Sequence, residues 1–392
     1  MQTFRQDMMT LDIPLTPKLL APGEGASMWA RHDGYIFECA DYGPAPGFYP
    51  VYRHGNLHSF SILPLIAAKG GLSFNSDFVD LNLRDGSDVA RPNPTIDRDI
   101  VRIGGPGVFD QSLSDRDAFI AGMAEAMSED IDEVCANNPG KTHVILCGGK
   151  DSLNILLADW KAPVVAYSAE PNFPLVRQFV ADNGIDIEVR RLDDIDPGEG
   201  LIREIAEAAC LVDLLNWKWT AHLKQISADL DHQVVFWKGQ VADAFFTNYW
   251  RSYTSSRSEP YKFFKKAYRK IAKTAPGLVD PFFAKRAIAD MQQAVWERAA
   301  VGQGAHLGFL RSICNALFLS VYHGPRAYDV MRRINFRALS HEDIRPAIGA
   351  ALLGREVRYP AENPAPPPSG FRTGLRDVDQ FAAALARLGI KA

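Results

Sequence analysis

The sequence predicts an α/β protein built on a doubly wound parallel sheet, and three observations lead to this prediction. From about residue 116, short apolar runs alternate with segments whose apolar residues recur at helical spacing. A Gly-Gly turn joins the first apolar run to the helix-like segment behind it. The residues before 116 follow a different pattern, with short strand-like runs between Gly and Pro. Regular alternation of strand and helix places consecutive strands in one parallel sheet with helices on both faces.

Residues 1–115 are predicted to form a small β-rich N-terminal domain. Strand-like runs occupy 35–39 and 48–52, and residues 58–62 alternate weakly between apolar and polar. A turn cluster of three glycines and a proline at 104–107 closes this region. We therefore divide the chain into this N-terminal domain and an α/β domain over residues 116–392.

The α/β domain begins with a helix predicted from Asp115 to about Cys135. Ser114 is its predicted cap, and Asn137-Asn138-Pro139-Gly140 ends it. Strands are predicted at 142–146, 162–168, 185–190 and 233–237, and further helices from Leu153 and over 175–183, 200–215 and 220–228. After Asp243 the patterns are helical through about Leu353 and again over 378–388, with a Pro-rich extended loop at 359–370. These patterns predict a helical C-terminal extension.

Composition bounds the class of protein. The chain has 392 residues, 47% hydrophobic and 23% charged, which is ordinary for a globular protein. A net charge of -4 creates no general attraction for nucleic acid. The five cysteines are widely spaced without a CxxC pair, which argues against a disulfide framework and a structural zinc site. No apolar stretch of about 18 residues and no signal-like N-terminus is found, so we expect no membrane span and a cytoplasmic protein.

The segment Cys147-Gly148-Gly149-Lys150-Asp151-Ser152 lies between a predicted strand and a predicted helix, an arrangement that binds phosphate. Glycines let the backbone approach an anion, and the helix N-terminus presents free N–H groups. Ser152 adds a hydroxyl donor and Lys150 a positive charge. Asp151 would repel a phosphate, so its expected role is to hold Mg²⁺. The alternative is a simple tight turn between strand and helix.

Residues 146–152 resemble the Ser-Gly-Gly-x-Asp-Ser signature of the PP-loop ATP pyrophosphatases, which have the adenine nucleotide alpha hydrolase-like fold. The resemblance implies that ATP is cleaved to AMP and pyrophosphate while a carboxylate or carbonyl oxygen is adenylated. It also implies that Gly148, Gly149, Lys150 and Ser152 hold pyrophosphate. Cys147 replaces the usual Ser, and a thiol is a weaker donor. The alternative role for Cys147 is that of a nucleophile activated by the helix N-terminus.

Residues 234–249 resemble the second motif of the asparagine synthetase group within this family. Gly239, Asp243, Phe246 and Tyr249 match it, about 90 residues after the first loop. Strand ends of a parallel sheet face one crevice, so the resemblance implies that Asp151 and Asp243 share Mg²⁺ bound to pyrophosphate. A helix cap is the alternative role for Asp243.

The resemblance also suggests where the rest of the nucleotide lies. Tyr167 and Ser168, at the end of the second predicted strand, are expected to meet adenine or ribose, and Gly239 belongs to the same nucleotide site. Residues 322–331, 345–353 and 369–373 resemble the family more weakly. The N-terminal domain corresponds in position to a reduced glutaminase-like domain.

Four departures from the family pattern shape the functional prediction. Residue 2 is Gln where a glutaminase needs Cys, so glutamine is not expected to supply nitrogen. Gln240 replaces Glu or Tyr and has no pKa useful to a general base, so we expect it to orient the acceptor. Ala244 replaces an acidic residue. Pro368 replaces a Lys that stabilises charge during amide formation, for which Lys238, Lys218 and Arg372 are the candidate substitutes.

The leading hypothesis is an AMP-forming carbon-nitrogen ligase similar to asparagine synthetase, β-lactam synthetase or the lasso-peptide cyclases. With ATP and Mg²⁺ it would adenylate a small-molecule or peptide carboxylate and transfer it to an amine other than glutamine-derived ammonia. Gln240 and Lys150 are the candidate catalytic residues. One alternative is a non-catalytic nucleotide-binding or partner protein, and another is a PP-loop enzyme that modifies tRNA or a nucleobase.

A basic segment at 262–273 bears on the partners. Six Lys and Arg residues recur there at helical spacing. Two interpretations of this segment are open. It either docks an acidic peptide, a protein or a tRNA backbone, or it is a solvated helix face. The second motif disfavours a nucleic-acid partner.

Overall fold

The computed structural model describes residues 18–19, 29, 35–38, 51–59, 62–71, 73, 97–103, 112–193, 217–239, 242, 316–322, 324–334 and 343–361. Predictions for 200–215, 240–241, 243–249, 262–273 and 362–392 therefore lie outside the described residues. Within the described part, no helix combines the length and the apolar character needed to cross a membrane.

The N-terminal part contains a five-stranded mixed sheet. Its elements are β1 (Lys18–Leu19), β2 (Tyr35–Glu38), β3 (Val51–His54), β4 (Leu57–Ser59), α1 (Ile62–Lys69) and β5 (Val101–Ile103), with strand order β1-β2-β4-β3-β5. The strand-like pattern predicted at 58–62 extends too far. Strand β4 ends at Ser59, and a helix begins at Ile62. A short turn at Gly55, with a φ of 57°, pairs β4 with β3. The proposed boundary near residue 115 stays a prediction.

The α/β part begins with α2 (Arg116–Asn137), which ends before Asn138 as predicted. Its cap is Asp115 rather than Ser114, because the Asp115 carboxylate accepts a hydrogen bond from the Ala118 N–H at 2.8 Å. One face of the helix is buried through Phe119, Met123 and Met127. This face is part of the hydrophobic core.

The central sheet has five parallel strands, which confirms the predicted α/β class. They are β6 (Thr142–Leu146), β7 (Val164–Ala169), β8 (Glu188–Leu192), β9 (Val234–Lys238) and β10 (Leu317–Ser320), in the order β10-β9-β6-β7-β8. The chain extends the sheet from β6 to β8 on one side and then crosses to β9 and β10 on the other. This order is compatible with the doubly wound prediction.

Helices flank this sheet. They are a 3-10 helix (Lys150–Leu157), α3 (Phe173–Asp182), α4 (Trp217–Asp229), α5 (Pro325–Arg332) and α6 (Arg345–Leu353). The helix predicted behind the Gly-Gly turn is therefore of the tighter 3-10 type and begins at Lys150.

Strand β10 corrects the prediction that only helices follow Asp243. Leu317, Phe318 and Leu319 are fully buried, and β10 pairs with β9 in parallel. A short continuous apolar run has neither the helical nor the alternating period, so its pattern does not separate a buried strand from a buried helix. The strand thus completes the sheet on the side of β9.

Helix α5 is anchored to α2 by one buried carboxylate. Asp130 of α2 accepts hydrogen bonds from the Ala327 N–H at 3.1 Å and from an Arg326 Nη at 2.9 Å. A Cβ added at Gly324, just before α5, would overlap the same carboxylate. Burial raises the pKa of Asp130 to about 6, although its hydrogen bonds to Ala327 and Arg326 oppose the increase. Asp130 therefore occupies the position of a cap for α5, supplied by another helix.

Candidate phosphate-binding site

The candidate site lies where the direction of the sheet changes, between β6 and β9. The loop of residues 147–152, hereafter the phosphate loop, follows β6, and Gly239 follows β9. Leu146 and Lys238, the last residues of the two strands, are register partners. In open α/β sheets, ligands bind in the crevice at such a position. The structure thus brings together the first loop and the beginning of the second motif, which were predicted to share one crevice.

Gly239 packs directly on the phosphate loop. A Cβ at this position would overlap the carbonyl group of Asp151 and the backbone nitrogen of Ser152. Only glycine therefore allows β9 to end this close to the loop. Its role in the structure is to support the backbone of Asp151 and Ser152 from the β9 side.

Within the phosphate loop, two polar side chains point inward. Cys147 is fully buried, and its N–H donates to the Tyr167 carbonyl at 2.8 Å. Ser152 is 3% exposed, and its hydroxyl donates to the Gly149 carbonyl at 2.9 Å. Both residues stabilise the shape of the loop. A phosphate role for the Ser152 hydroxyl would need a change of rotamer, and the Cys147 side chain is buried away from the loop surface.

Burial also governs the chemistry of Cys147. It raises the pKa of the thiol to about 12, while a hydrogen bond with Ser152 acts in the opposite direction. Thiolate is the nucleophilic form of cysteine, and at neutral pH its fraction here is negligible. The geometry disfavours the alternative of Cys147 as a nucleophile.

We expect Cys147 to resist alkylation in the native chain. Iodoacetamide at pH 8, followed by peptide mass spectrometry, should leave Cys147 unmodified, because the thiol is buried and protonated. The same reaction in guanidinium chloride, which exposes every thiol, is the control. Rapid modification of Cys147 in the folded protein would restore the nucleophile hypothesis.

Two glycines give the phosphate loop its open side. Gly148 is exposed, and a Cβ added there would meet nothing within 4 Å. Gly149 has a φ of 130°, which other residues rarely adopt, and it precedes the 3-10 helix. Asn172 donates from its side chain to the Gly148 carbonyl at 3.2 Å. The backbone at Gly148 is therefore accessible to an anion at the start of a helix, and the buried Gly149 gives the turn its shape.

Tyr167 and Ser168, predicted to meet adenine or ribose, lie on β7, on the side of β6 away from Gly239. Ser168 is fully buried and its hydroxyl donates to the Cys147 carbonyl at 2.7 Å. The Tyr167 hydroxyl accepts from an Arg190 Nη at 3.2 Å, and Tyr167 is 7% exposed. In the structure Ser168 supports the loop, and the nucleoside role of both residues stays a prediction.

Lys150 is held by a segment that comes much later in the chain. Its Nζ donates to the Ala361 carbonyl at 2.7 Å and lies 3.5 Å from an oxygen of Asp343. It also lies 5.8 Å from the centre of the Tyr359 ring, whose hydroxyl donates to the Lys150 carbonyl. Binding of the Lys150 ammonium to a phosphate would replace its contact with Ala361.

Asp151 contacts a residue that the sequence did not single out as part of the site. Its carboxylate forms an ion pair with one Nη of Arg345, and its carbonyl accepts from the Tyr322 hydroxyl at 3.2 Å. The rest of the Arg345 guanidinium binds Asp343, with Nε and Nη2 donating at 2.8 and 2.7 Å. Burial opposes the charge of Arg345, but Asp343 and Asp151 outweigh it and raise the pKa of the guanidinium.

The described residues of the phosphate loop fit a phosphate group, but they do not fit Mg²⁺ at Asp151. The exposed Gly148 backbone, the positive φ of Gly149 and the helix start fit a phosphate group. As placed, Asp151 does not fit a metal ligand, because the Arg345 guanidinium lies on its carboxylate. The described residues contain no group of three or more His, Cys, Asp or Glu able to hold a metal ion. Gln240 and Asp243 lie outside the described residues, so a shared Mg²⁺ stays a prediction.

Sequence reasoning thus missed four contributors: Tyr322, Asp343, Arg345 and Tyr359. Tyr322 follows β10, which was not recognised as a strand. The other three belong to the segment 343–361, of which 345–353 was predicted only to be helical and to resemble the family weakly. A signal was present in Asp343 and Arg345, two opposite charges at the start of that helix, but nothing local connects them to the loop.

Comparison with models of protein families gives no match for this chain, and comparison with curated proteins gives none.

Proposed function

We propose that residues 147–152 bind the phosphates of ATP and that the protein is an AMP-forming carbon-nitrogen ligase. The observation that carries this proposal is the contact of Gly239 with Asp151 and Ser152 at the change of direction between β6 and β9. The phosphate loop, which resembles the PP-loop signature, is thus in contact with Gly239, a described residue of the segment that resembles the second motif of the asparagine synthetase group. A simple tight turn would not need this second segment.

The residues of the site have distinct proposed roles. The backbone N–H groups at Gly148 and Gly149 donate hydrogen bonds to the phosphate oxygens, and Lys150 neutralises their charge after releasing Ala361. Ser168 and Ser152 hold the loop in shape through their hydrogen bonds to Cys147 and Gly149. ATP, when bound, supplies an activated phosphoryl centre to which a carboxylate can be joined. Gln240 is proposed to orient the amine, and Asp243 to bind metal.

The second candidate is a nucleotide-binding protein without catalysis. One observation favours it: the segment 343–361 holds both charged side chains of the phosphate loop, Lys150 through Ala361 and Asp151 through Arg345. Because both side chains are held in contacts with the protein, neither is placed to act on a substrate, which favours binding without catalysis. The substrate carboxylate is proposed to belong to a small molecule or a peptide. A peptide or protein partner of the basic segment 262–273 likewise stays a proposal.

The product of ATP separates the two candidates. We expect α-labelled ATP, incubated with Mg²⁺, the full chain and a cell extract, to yield labelled AMP together with pyrophosphate. Lys150→Ala should reduce AMP formation by at least about tenfold, because one charge contact to a phosphate contributes about 1.5–3 kcal/mol.

Lys161→Ala is the matched control. Lys161 is an exposed lysine that pairs with Asp132 at 2.6 Å and contacts no residue of the loop in the structure. It should leave AMP formation unchanged. Equal losses in the two variants would contradict the assignment of the loop. ATP binding without AMP would favour the non-catalytic candidate, and no ATP binding would exclude both.

A further inference from the structure

Arg345 is the best-positioned cation at the phosphate loop. It is the first residue of α6, and its side chain is only 8% exposed. Asp343 fixes the guanidinium by accepting from Nε at 2.8 Å and from Nη2 at 2.7 Å. This leaves Nη1 directed at Asp151. A planar guanidinium held along one edge has little freedom to turn, so its other edge is presented in a fixed direction.

The loop needs such a cation, because Asp151 places a negative charge beside the backbone that would receive a phosphate. Two like charges a few ångströms apart repel each other, and more strongly at a partly buried site than in water. The Lys150 Nζ is directed at the Ala361 carbonyl and lies near Asp343. The cation in contact with the Asp151 carboxylate is Arg345.

A purely structural salt bridge accounts less well for the arrangement. A buried ion pair adds little net stability, because desolvation offsets the attraction. Here the acidic partner is half-buried, with its side chain 38% exposed, in the loop that also carries the exposed Gly148. The pair therefore reaches from the core to the open side of the loop.

We propose that Arg345, positioned by Asp343, is the counter-ion of Asp151 that lets the phosphate loop accept a pyrophosphate-like anion without a divalent metal ion at Asp151. This inference depends on the proposed phosphate binding at the loop. Arg345 takes the place that the family resemblance gives to Mg²⁺ at this carboxylate. Asp343 is a positioning residue, since it acts through the guanidinium.

The test is calorimetric titration of the full chain with sodium pyrophosphate, in EDTA and separately in Mg²⁺. We expect the wild type to bind in EDTA, and Arg345→Gln to bind at least about tenfold more weakly there. Mg²⁺ should restore much of the binding of Arg345→Gln, because the metal can then neutralise Asp151. Adding Asp151→Asn to Arg345→Gln should restore much of the binding in EDTA, because the negative charge within the phosphate loop is then removed.

These readouts separate the proposal from a structural role and from failure of the proposed function. Circular dichroism identifies the folded variants. If Arg345→Gln does not fold, Arg345→Lys replaces it: without the planar fork that Asp343 fixes, it should bind pyrophosphate in EDTA several-fold more weakly than the wild type, and equal binding overturns the proposal. Equal binding of wild type and Arg345→Gln in EDTA overturns the proposal, as does wild-type binding only with Mg²⁺, which leaves the proposed phosphate binding intact. No wild-type binding under either condition overturns both.

Discussion

Replacing Gly239 with alanine should destabilise the folded protein by about 3 kcal/mol and abolish nucleotide binding. The new Cβ would overlap the Asp151 carbonyl and the Ser152 nitrogen, which are backbone atoms and cannot turn away as a flexible side chain can. Overpacking of this kind typically costs about 1–3 kcal/mol. Either β9 or the phosphate loop must shift, and the loop then loses the geometry that receives a phosphate. Urea unfolding followed by circular dichroism measures the first effect.

The matched control is Gly148→Ala in the same loop. A Cβ at Gly148 would meet no atom within 4 Å, and Gly148 is not among the glycines with positive φ. We therefore expect less than about 1 kcal/mol of destabilisation from this change. If both alanine variants unfold at the same urea concentration, the close contact between β9 and the loop is not what requires glycine at position 239.

Replacing Asp130 with alanine should lower the free energy of unfolding by about 2–4 kcal/mol. The carboxylate is 1% exposed and accepts from the Arg326 guanidinium and from the Ala327 N–H in the first turn of α5. Its removal leaves a buried N–H without its acceptor and Arg326 without its buried partner. Asp329→Ala is the control, because Asp329 is 48% exposed and pairs at the surface with Arg332. That change should cost less than about 1 kcal/mol.

The charge of Asp130 makes the free energy of unfolding depend on pH. The variant Asp130→Asn, which cannot ionise, isolates this effect. Burial raises the pKa of this carboxyl from 3.8 to about 6, so the folded state binds the proton more tightly than the unfolded state. The stability that protonation contributes is fully present below pH 3.8 and is lost as the pH rises through about 6. The difference corresponds to about 3 kcal/mol. Relative to Asp130→Asn, the wild type should lose stability between pH 4 and pH 7, and a constant difference would contradict this account.

The parts of the fold that depend on local sequence were predictable. Strand β6 was predicted with its observed bounds, because an apolar run followed by Gly-Gly has few other solutions. The cap of α2 was predicted one residue too early. Ser114 and Asp115 are both good caps, and only the geometry selects between them. Strand β10 was missed, because four buried residues are too few to show a period.

The candidate site was predictable only on the side contributed by the loop itself. The order strand, glycines and helix identified residues 147–152, and the second motif identified Gly239. The partners of the charged residues were not predictable, because Arg345 lies 194 residues from Asp151 and Ala361 lies 211 residues from Lys150. Tertiary contacts at such separations leave no periodic signal in the sequence. The same contacts decide whether Lys150 and Asp151 face a ligand or the protein.

These separations also set an order of events during synthesis. Strands β6, β7 and β8 leave the ribosome long before Tyr322, Arg345 and Ala361, which contact the loop from 171, 194 and 211 residues farther along the chain. Contacts between residues so far apart in sequence form slowly, because the long segment between them must be ordered first. The emerging chain therefore contains β6, β7, β8 and the phosphate loop before Tyr322, Arg345 and Ala361 are synthesised. A chain that ended before Tyr322 would contain the loop without any of these three groups.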